Sequence, residues 1–476
     1  MDLHHSVVSD VFYLTDSYKV SHYNQYPPNT THVYSYFESR GGRFDEVCFF
    51  GLQYILKRWL CGPVVNGQKI NEAKQFYEKH FGQNIFNEAG WRYIYETHNG
   101  YLPLRVKAVP EGTVLPTHNV LFTVENTDPK VPWLTGWFET VLVQAWYPMT
   151  VCTLSRAHKK VIAEYMQDTC DSLDGLQFKL HDFGYRGCTS VESAAIGDAA
   201  HLVNFAGTDT IAGIRLAQKY YAADMPGNSI PAAEHSTITA WGEHNEAAAF
   251  RNILEKYPDG LVSVVSDSYD VFDAVQNIWG QELKDLVEQR AGRGTLVIRP
   301  DSGDPRTVVV RVLELLGQSF GVKTNSKGYK ELPPHVRVIQ GDGVTYDSLN
   351  DILSCMTENG WSTANIAFGT GGALVQKINR DTQRCAFKCS NITVDGQHRD
   401  VFKDPVTDKS KRSKKGRLTL EKRNGQYVTI EEGNGNPQTD ELVTVFENGL
   451  MVKEWTFDEI RERAKIYWPG DAANGV

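Results

Sequence analysis

Two rhythms of hydrophobic and polar positions run along this chain. From about Thr150 to Arg380, short apolar runs recur, and each ends in a polar loop rich in glycine or aspartate. Phe178-Lys-Leu180 leads into His-Asp-Phe-Gly-Tyr-Arg-Gly, and Leu261-Val-Ser-Val-Val265 into Ser-Asp-Ser-Tyr-Asp270. Thr295-Leu-Val-Ile298 leads into Arg-Pro-Asp-Ser-Gly-Asp-Pro305, Val336-Arg-Val-Ile339 into Gln-Gly-Asp-Gly343, and Ile366-Ala-Phe368 into Gly-Thr-Gly-Gly372. Helix-like stretches such as Val271–Trp279 and Val308–Leu316 lie between them. Strand, polar loop and helix in repetition make the unit of α/β folds. The pattern predicts an irregular (β/α) barrel-like domain, with a doubly wound sheet as the alternative. In both architectures function gathers in the loops at the carboxyl ends of the strands.

The flanks are β-rich. Val33–Phe37, Leu104–Val109 and Val120–Val124 read as strands, interrupted by helical segments at Tyr54–Leu60 and Ile70–His80. Near the C-terminus, Arg417–Leu420 and Tyr427–Glu431 flank Asn424-Gly425, while Leu442–Phe446 and Met451–Trp455 flank Asn448-Gly449. Both are hairpin signals. Thr456-Phe-Asp-Glu459 reads as a capping box opening a last helix. Residues 1–149 and 385–476 are therefore expected to form one β-rich α+β domain from both chain ends, with residues 150–384 as the barrel-like domain. In the apolar stretch Trp133–Met149, Leu134, Trp137, Phe138, Val141, Leu142 and Ala145 repeat at helical spacing. With Glu139 and Gln144 inside it, this predicts a core helix, closed by Pro148, rather than a membrane span.

Composition narrows the class. The 476 residues are 41% hydrophobic and 22% charged, with a formal charge of −9. That balance gives no general attraction to nucleic acid or to an anionic membrane, so any basic site must be local. The eight cysteines are scattered without a CxxC pair, as expected for reduced thiols in the cytoplasm. Met1–Asp10 lacks a cationic start followed by an apolar core, so no secretory leader is expected there.

The loops carry the chemistry. Gly341-Asp-Gly343 and Gly369-Thr-Gly-Gly372 come last among the repeating units, where barrels often hold phosphate on backbone N–H groups and helix N-termini. Arg299-Pro-Asp-Ser-Gly-Asp-Pro305 brings a cation and carboxylates to one strand end, and Asp267 stands at the neighbouring one. Such carboxylates suit ribose hydroxyls or a Mg²⁺ accompanying a pyrophosphate, although a single Asp there is more often a helix cap. Glu234-His235 precedes a helix-like stretch, a position open to proton or phosphoryl transfer. Lys403–Arg417 is densely cationic, with Arg380 and Lys388 just before it. It lacks aromatic interleaving, which favours a solvated loop or a small polyphosphate over nucleic acid.

Eight strings in order carry a resemblance: Thr15-Asp-Ser-Tyr-Lys19, His181-Asp-Phe-Gly-Tyr-Arg-Gly187, Gly207-Thr-Asp-Thr210, Pro231-Ala-Ala-Glu-His-Ser-Thr237, Ser266-Asp-Ser-Tyr-Asp270, Arg299-Pro-Asp-Ser-Gly303, Gln340-Gly-Asp-Gly343 and Lys411-Arg-Ser-Lys-Lys-Gly-Arg417. Over nearly its whole length the chain resembles the nicotinamide phosphoribosyltransferases of the type II phosphoribosyltransferase family. The resemblance implies a cytoplasmic homodimer with shared active sites, transferring phosphoribosyl from 5-phosphoribosyl 1-pyrophosphate to nicotinamide. It implies Phe183 on one face of the pyridine, Tyr18 of the partner subunit on the other, Arg186 beside the ring, and Asp209 accepting from the carboxamide. It assigns Arg299, Asp301, Gly341, Asp342, Gly371 and Gly372 to ribose and phosphate, with Arg380, Lys388 and Lys403 around the phosphates. Asp267 and Asp301 are the implied Mg²⁺ contacts. His235 matches the residue that such enzymes phosphorylate with ATP as co-substrate, and Glu234 is expected to orient it. Ala386 stands where vertebrate members carry a serine, and the segment from Gly41 to Cys48 is shorter than theirs. A nicotinate-specific transferase and a noncatalytic secreted signalling protein are the alternatives.

Overall fold

The apolar runs in the middle of the chain form short parallel strands with two distinct faces. The computed structural model describes residues 8–468, so the leader reading of Met1–Asp10 lies mostly outside the described residues. The strands are β1 (Leu180–Asp182), β2 (Gly207–Thr208), β3 (Gly260–Val265), β4 (Gly294–Arg299), β5 (Val336–Gln340) and β6 (Ile366–Thr370). They pair in parallel in the order β2-β1-β6-β5-β4-β3. Val262, Val264, Leu296, Ile298, Val336 and Phe368 pack outward in one core with Val309, Leu313, Leu316, Leu349, Ile352 and Met356 of the covering helices. Ser263, Val297, Arg299, Arg337, Ile339 and Ala367, one residue out of phase, line an internal cavity. Period two thus separates core from site.

The sheet curls until its edges meet. Asn228 bridges to Gly207 at the β2 edge, and Ala232 bridges to Ser263 at the β3 edge, both in parallel. Four backbone hydrogen bonds seal the seam: Asn228 to Ala206 (2.8 Å), Thr208 to Asn228 (3.0 Å), Ser263 to Pro231 (2.9 Å) and Ala233 to Ser263 (2.9 Å). The outcome is the expected irregular barrel-like α/β fold. Its helices start where the loop chemistry dictates. Asp304 caps Pro305–Phe320 with Pro at its first turn, and Thr345 and Ser348 cap Tyr346–Glu358 reciprocally.

The β-rich unit centres on strand Thr30–Ser39, which pairs antiparallel with Cys385–Val394 and Val120–Asn126. Leu104–Ala108, Val443–Glu447, Leu450–Met451 and Gln397–Asp400 complete seven strands. Phe37 stacks on Phe122 with ring centroids 4.8 Å apart. Both Asn-Gly hairpins form, with φ of 51° and 79° at Asn424-Gly425 and 50° and 82° at Asn448-Gly449. Such values suit type I′ turns. The capping box at Thr456 opens helix Phe457–Ala464 as expected.

Chain segments divide between the units as Met1–Thr153, Gln218–Ala223 and Asn379–Lys465 against Leu154–Ala217, Asp224–Ile378 and Ile466–Val476. The divisions therefore differ from the expected 149/150 and 384/385. The Asn379–Arg384 stretch belongs to the β-rich unit, because Gln383 exchanges hydrogen bonds with the backbone of Phe44 and Thr382 accepts from Arg43. Tyr221 joins it by stacking on Phe50.

Two further expectations need correction. Trp133–Met149 is not one helix: Leu134–Trp137 and Glu139–Val143 are separate, and a longer helix spans Trp146–Thr169. Pro148 lies in the first turn of that helix, where a missing N–H costs nothing, so it opens a helix rather than closing one. Likewise Leu176–Phe178 is a 3₁₀ turn, and the first barrel strand begins only at Leu180. Among the described residues no helix is long and apolar enough to cross a membrane. All eight cysteines are free thiols.

Candidate active site

Phe183 directly follows β1, and its N–H donates to the Thr370 carbonyl at the end of β6 (2.9 Å). Its ring lies over two glycines. A Cβ at Gly369 would stand 2.0 Å from the ring, and one at Gly341 3.3 Å away. Gly369 is thus required by the seat of an aromatic ring. The Arg299 guanidinium sits 5.8 Å from that ring's centroid and pairs with Asp301 through two bonds of 2.9 and 2.8 Å. The fork geometry fixes both groups at the end of β4.

Asp209 follows β2. Its N–H donates to the Asp182 carbonyl (3.0 Å), and its carboxylate accepts the Ser229 hydroxyl (2.5 Å). Phe183, Asp209, Ser229 and Arg299 share a cavity of about 480 Å³ that continues to Lys179, Leu261, Arg337 and Ile366 at the amino ends of the strands. Its size suits a small-molecule ligand. Arg186 is exposed in the turn Tyr185–Gly187 and does not line this cavity. Lys179, half-buried, donates to three carbonyls, and desolvation pushes its ammonium down to about 8.

His235 opens the short helix His235–Thr239, half-exposed, and bonds through Nε2 to Oδ1 of Asp267 at 2.9 Å. Asp267 itself is buried at the end of β3. The expected orienting residue, Glu234, does not hold the imidazole; its carboxylate accepts from Ser236 instead. Adjacent residues on an extended backbone diverge, whereas a neighbouring strand end can reach across. Glu246, a residue that sequence alone did not single out, is raised to about 7 by burial and by Asp273, Asp267 and Asp270 nearby.

The glycine loops differ in what demands glycine. Gly343 adopts φ of 69°, which favours glycine. A Cβ at Gly371 or Gly372 would meet nothing closer than 3.5 Å, so packing does not explain these two. Asp342 is exposed beside them, its carbonyl accepting from Gln340.

In the β-rich unit, Tyr18 is 61% exposed while its neighbour Lys19 is buried against Glu139. Arg380 and Lys403 lie near Lys388: burial lowers the Lys388 ammonium, Glu139 opposes this, and Arg40, Arg380 and Lys403 lower it further. Arg40 is a cation the sequence reading missed. It bonds Glu38 through Nε (2.8 Å), and its buried Nη2 has no hydrogen-bond partner among the described residues. The signal was register, since Ser39 opposes Cys385 and Tyr36 opposes Lys388 on paired strands. Much of the later run is solvated, with Lys409 and Lys411 paired to Asp404 and Asp408.

Asp267 and Asp301, expected at Mg²⁺, are each engaged by a cationic or imidazole partner. Among the described residues no three His, Cys, Asp or Glu side chains gather as a metal cage.

The model of the nicotinate phosphoribosyltransferase family matches residues 178–450, and that of the nicotinamide phosphoribosyltransferase N-terminal domain matches residues 10–106. A nicotinamide phosphoribosyltransferase of Xanthomonas campestris is 51% identical over 459 residues, covering 94% of this chain and 97% of that protein. This chain belongs to the nicotinamide phosphoribosyltransferase family. It is a phosphoribosyl-transferring enzyme of NAD biosynthesis, as the resemblance implied. A second nicotinamide phosphoribosyltransferase, from Acinetobacter baylyi, is 33% identical, covering 94% and 95% of the two chains. Nicotinate-nucleotide pyrophosphorylase from Pyrococcus furiosus shares the fold, with a TM-score of 0.61 at 15% identity over 98% of this chain and 97% of that one. Human nicotinic acid phosphoribosyltransferase gives 0.56 at 14% identity over 94% and 92%.

Proposed function

We propose that this phosphoribosyltransferase joins nicotinamide to the phosphoribosyl group of 5-phosphoribosyl 1-pyrophosphate, giving nicotinamide mononucleotide and pyrophosphate in NAD salvage. The observation that carries this reading is Asp209 on the cavity that Phe183 lines. The pyridine stacks on Phe183 and Asp209 accepts from the carboxamide N–H, while Arg186, outside the cavity lining, would reach the ring from the exposed turn Tyr185–Gly187. A carboxylate there repels nicotinate and leaves it without a donor. In a homodimer with shared sites, Tyr18 of the partner subunit covers the other ring face.

The ring nitrogen then attacks the sugar carbon as the bond to pyrophosphate breaks, through an oxocarbenium-like state. Arg299 and Asp301 orient the ribose hydroxyls. The backbone of Gly341-Asp342 and Gly371-Gly372 holds phosphate, while Arg380, Lys388 and Lys403 meet the growing negative charge. Asp267 and Asp301 would hold a Mg²⁺ that accompanies the pyrophosphate, since such an ion takes only one or two carboxylates. When bound, the ion would neutralise charge on the leaving group.

ATP acts through His235. With Nε2 donating to Asp267, the lone pair lies on Nδ1, which takes the terminal phosphoryl group and releases ADP; water later cleaves the phosphohistidine. The eight free thiols suit a cytoplasmic enzyme. Purified protein given both substrates and Mg²⁺ should release nicotinamide mononucleotide and pyrophosphate in equal amounts. Absence of both products would favour the noncatalytic alternative.

A further inference from the structure

Two buried carboxyl groups stand behind the nicotinamide site without touching it. Asp182 ends β1, one residue before Phe183, and Asp198 lies in helix Val191–His201; their exposures are 1% and 0%. Asp182 accepts the Gly184 N–H through Oδ1 (2.8 Å) and the Thr210 hydroxyl through Oδ2 (2.8 Å). Asp198 Oδ1 accepts the Thr208 hydroxyl (2.6 Å), whose oxygen in turn accepts the Thr210 N–H (2.8 Å). These bonds tie the loop of Phe183 to the loop of Asp209.

Asp198 Oδ2 is buried and finds no donor among the described residues, and a Cβ on Gly213 would come within 2.1 Å of it. Glycine at 213 therefore leaves the room this carboxyl occupies. The charged group acting on both is Asp209, another acid. His181 and His201 nearby are both lowered by burial, so neither supplies a cation at neutral pH. The two carboxyls hydrogen-bond to each other and no cation is among the main groups acting on them, so they do not both ionise.

We propose that Asp182 and Asp198 share one proton, and that the resulting bond holds the Phe183 and Asp209 loops at the spacing nicotinamide needs. The proposal rests on the nicotinamide site described above. Both oxygens of Asp182 already accept hydrogen bonds while Oδ2 of Asp198 accepts none, which makes Asp198 the protonated partner, and burial raises both carboxyls. Both residues are positioning residues.

The test compares wild type, Asp198→Asn and Asp198→Ala. An acid raised in the folded state holds a proton that the unfolded chain has lost, so stability falls as pH climbs from the ordinary carboxyl range to the folded value. Wild-type melting temperature should therefore decline with pH relative to Asp198→Asn, and the nicotinamide KM should rise once the proton leaves. The kcat and the KM for phosphoribosyl pyrophosphate should not follow. Asp198→Asn, which keeps a neutral donor, should stay within about twofold of the wild-type nicotinamide KM near pH 7, while Asp198→Ala raises it about tenfold by leaving the Thr208 hydroxyl and the Asp182 carboxylate unmatched. If Asp198→Asn matches Asp198→Ala near neutral pH, or keeps the wild-type pH dependence of melting, the shared proton is refuted. Wild type without nicotinamide turnover would sink the functional reading alone, since the melting series still judges the pair.

Discussion

Asp209→Asn should shift the ratio of kcat/KM for nicotinamide over nicotinate by about 100-fold toward nicotinate, because close like charges cost several kcal/mol and each 1.4 kcal/mol is about tenfold. In the wild type, the Asp209 carboxylate faces the cavity with one oxygen held by Ser229. A carboxamide can donate to the remaining oxygen, whereas a nicotinate carboxylate can only repel it. Asparagine removes the charge and offers an N–H that either substituent can accept. Steady-state kinetics with both pyridines would settle the point, and an unchanged ratio would remove Asp209 from the specificity account.

His235→Ala should abolish the stimulation by ATP while leaving the basal transfer in place. Under the proposed function the imidazole takes a phosphoryl group from ATP and assists the transfer without performing it. Asp267→Asn should slow ATP hydrolysis on the order of 100-fold, since an amide in place of the carboxylate can donate to Nε2 and select the wrong tautomer. Glu234→Gln should have a much smaller effect, because the Glu234 carboxylate bonds Ser236 rather than the imidazole. Rates measured with and without ATP distinguish these cases. Basal activity that vanished in His235→Ala would show that the histidine performs the transfer itself.

The repeating strand and loop pattern made the barrel legible because each strand carries period two and ends in polar residues. Gly207–Thr208 and the seam at residues 228–232 escaped it, being too short to hold a period. Pro148 misled for a different reason. Proline punctuates a helix at either side, and only the structure shows which side the helix lies on. In the site, the contiguous pair Glu234-His235 suggested a partnership that the fold gives to Asp267, thirty-two positions away. Arg40 stood alone in sequence, and strand pairing brought it near the Lys388 cluster. Roles for Tyr18 and Asp209 came from family resemblance, since no single-residue pattern distinguishes them from surface groups.

The most direct test of the account is a crystal structure with nicotinamide mononucleotide bound. The account predicts the pyridine against Phe183, the carboxamide nitrogen within hydrogen-bond distance of Asp209, and the phosphate on the backbone of the Gly341–Gly343 and Gly371-Gly372 loops. A nucleotide bound with its pyridine away from Asp209 would contradict it.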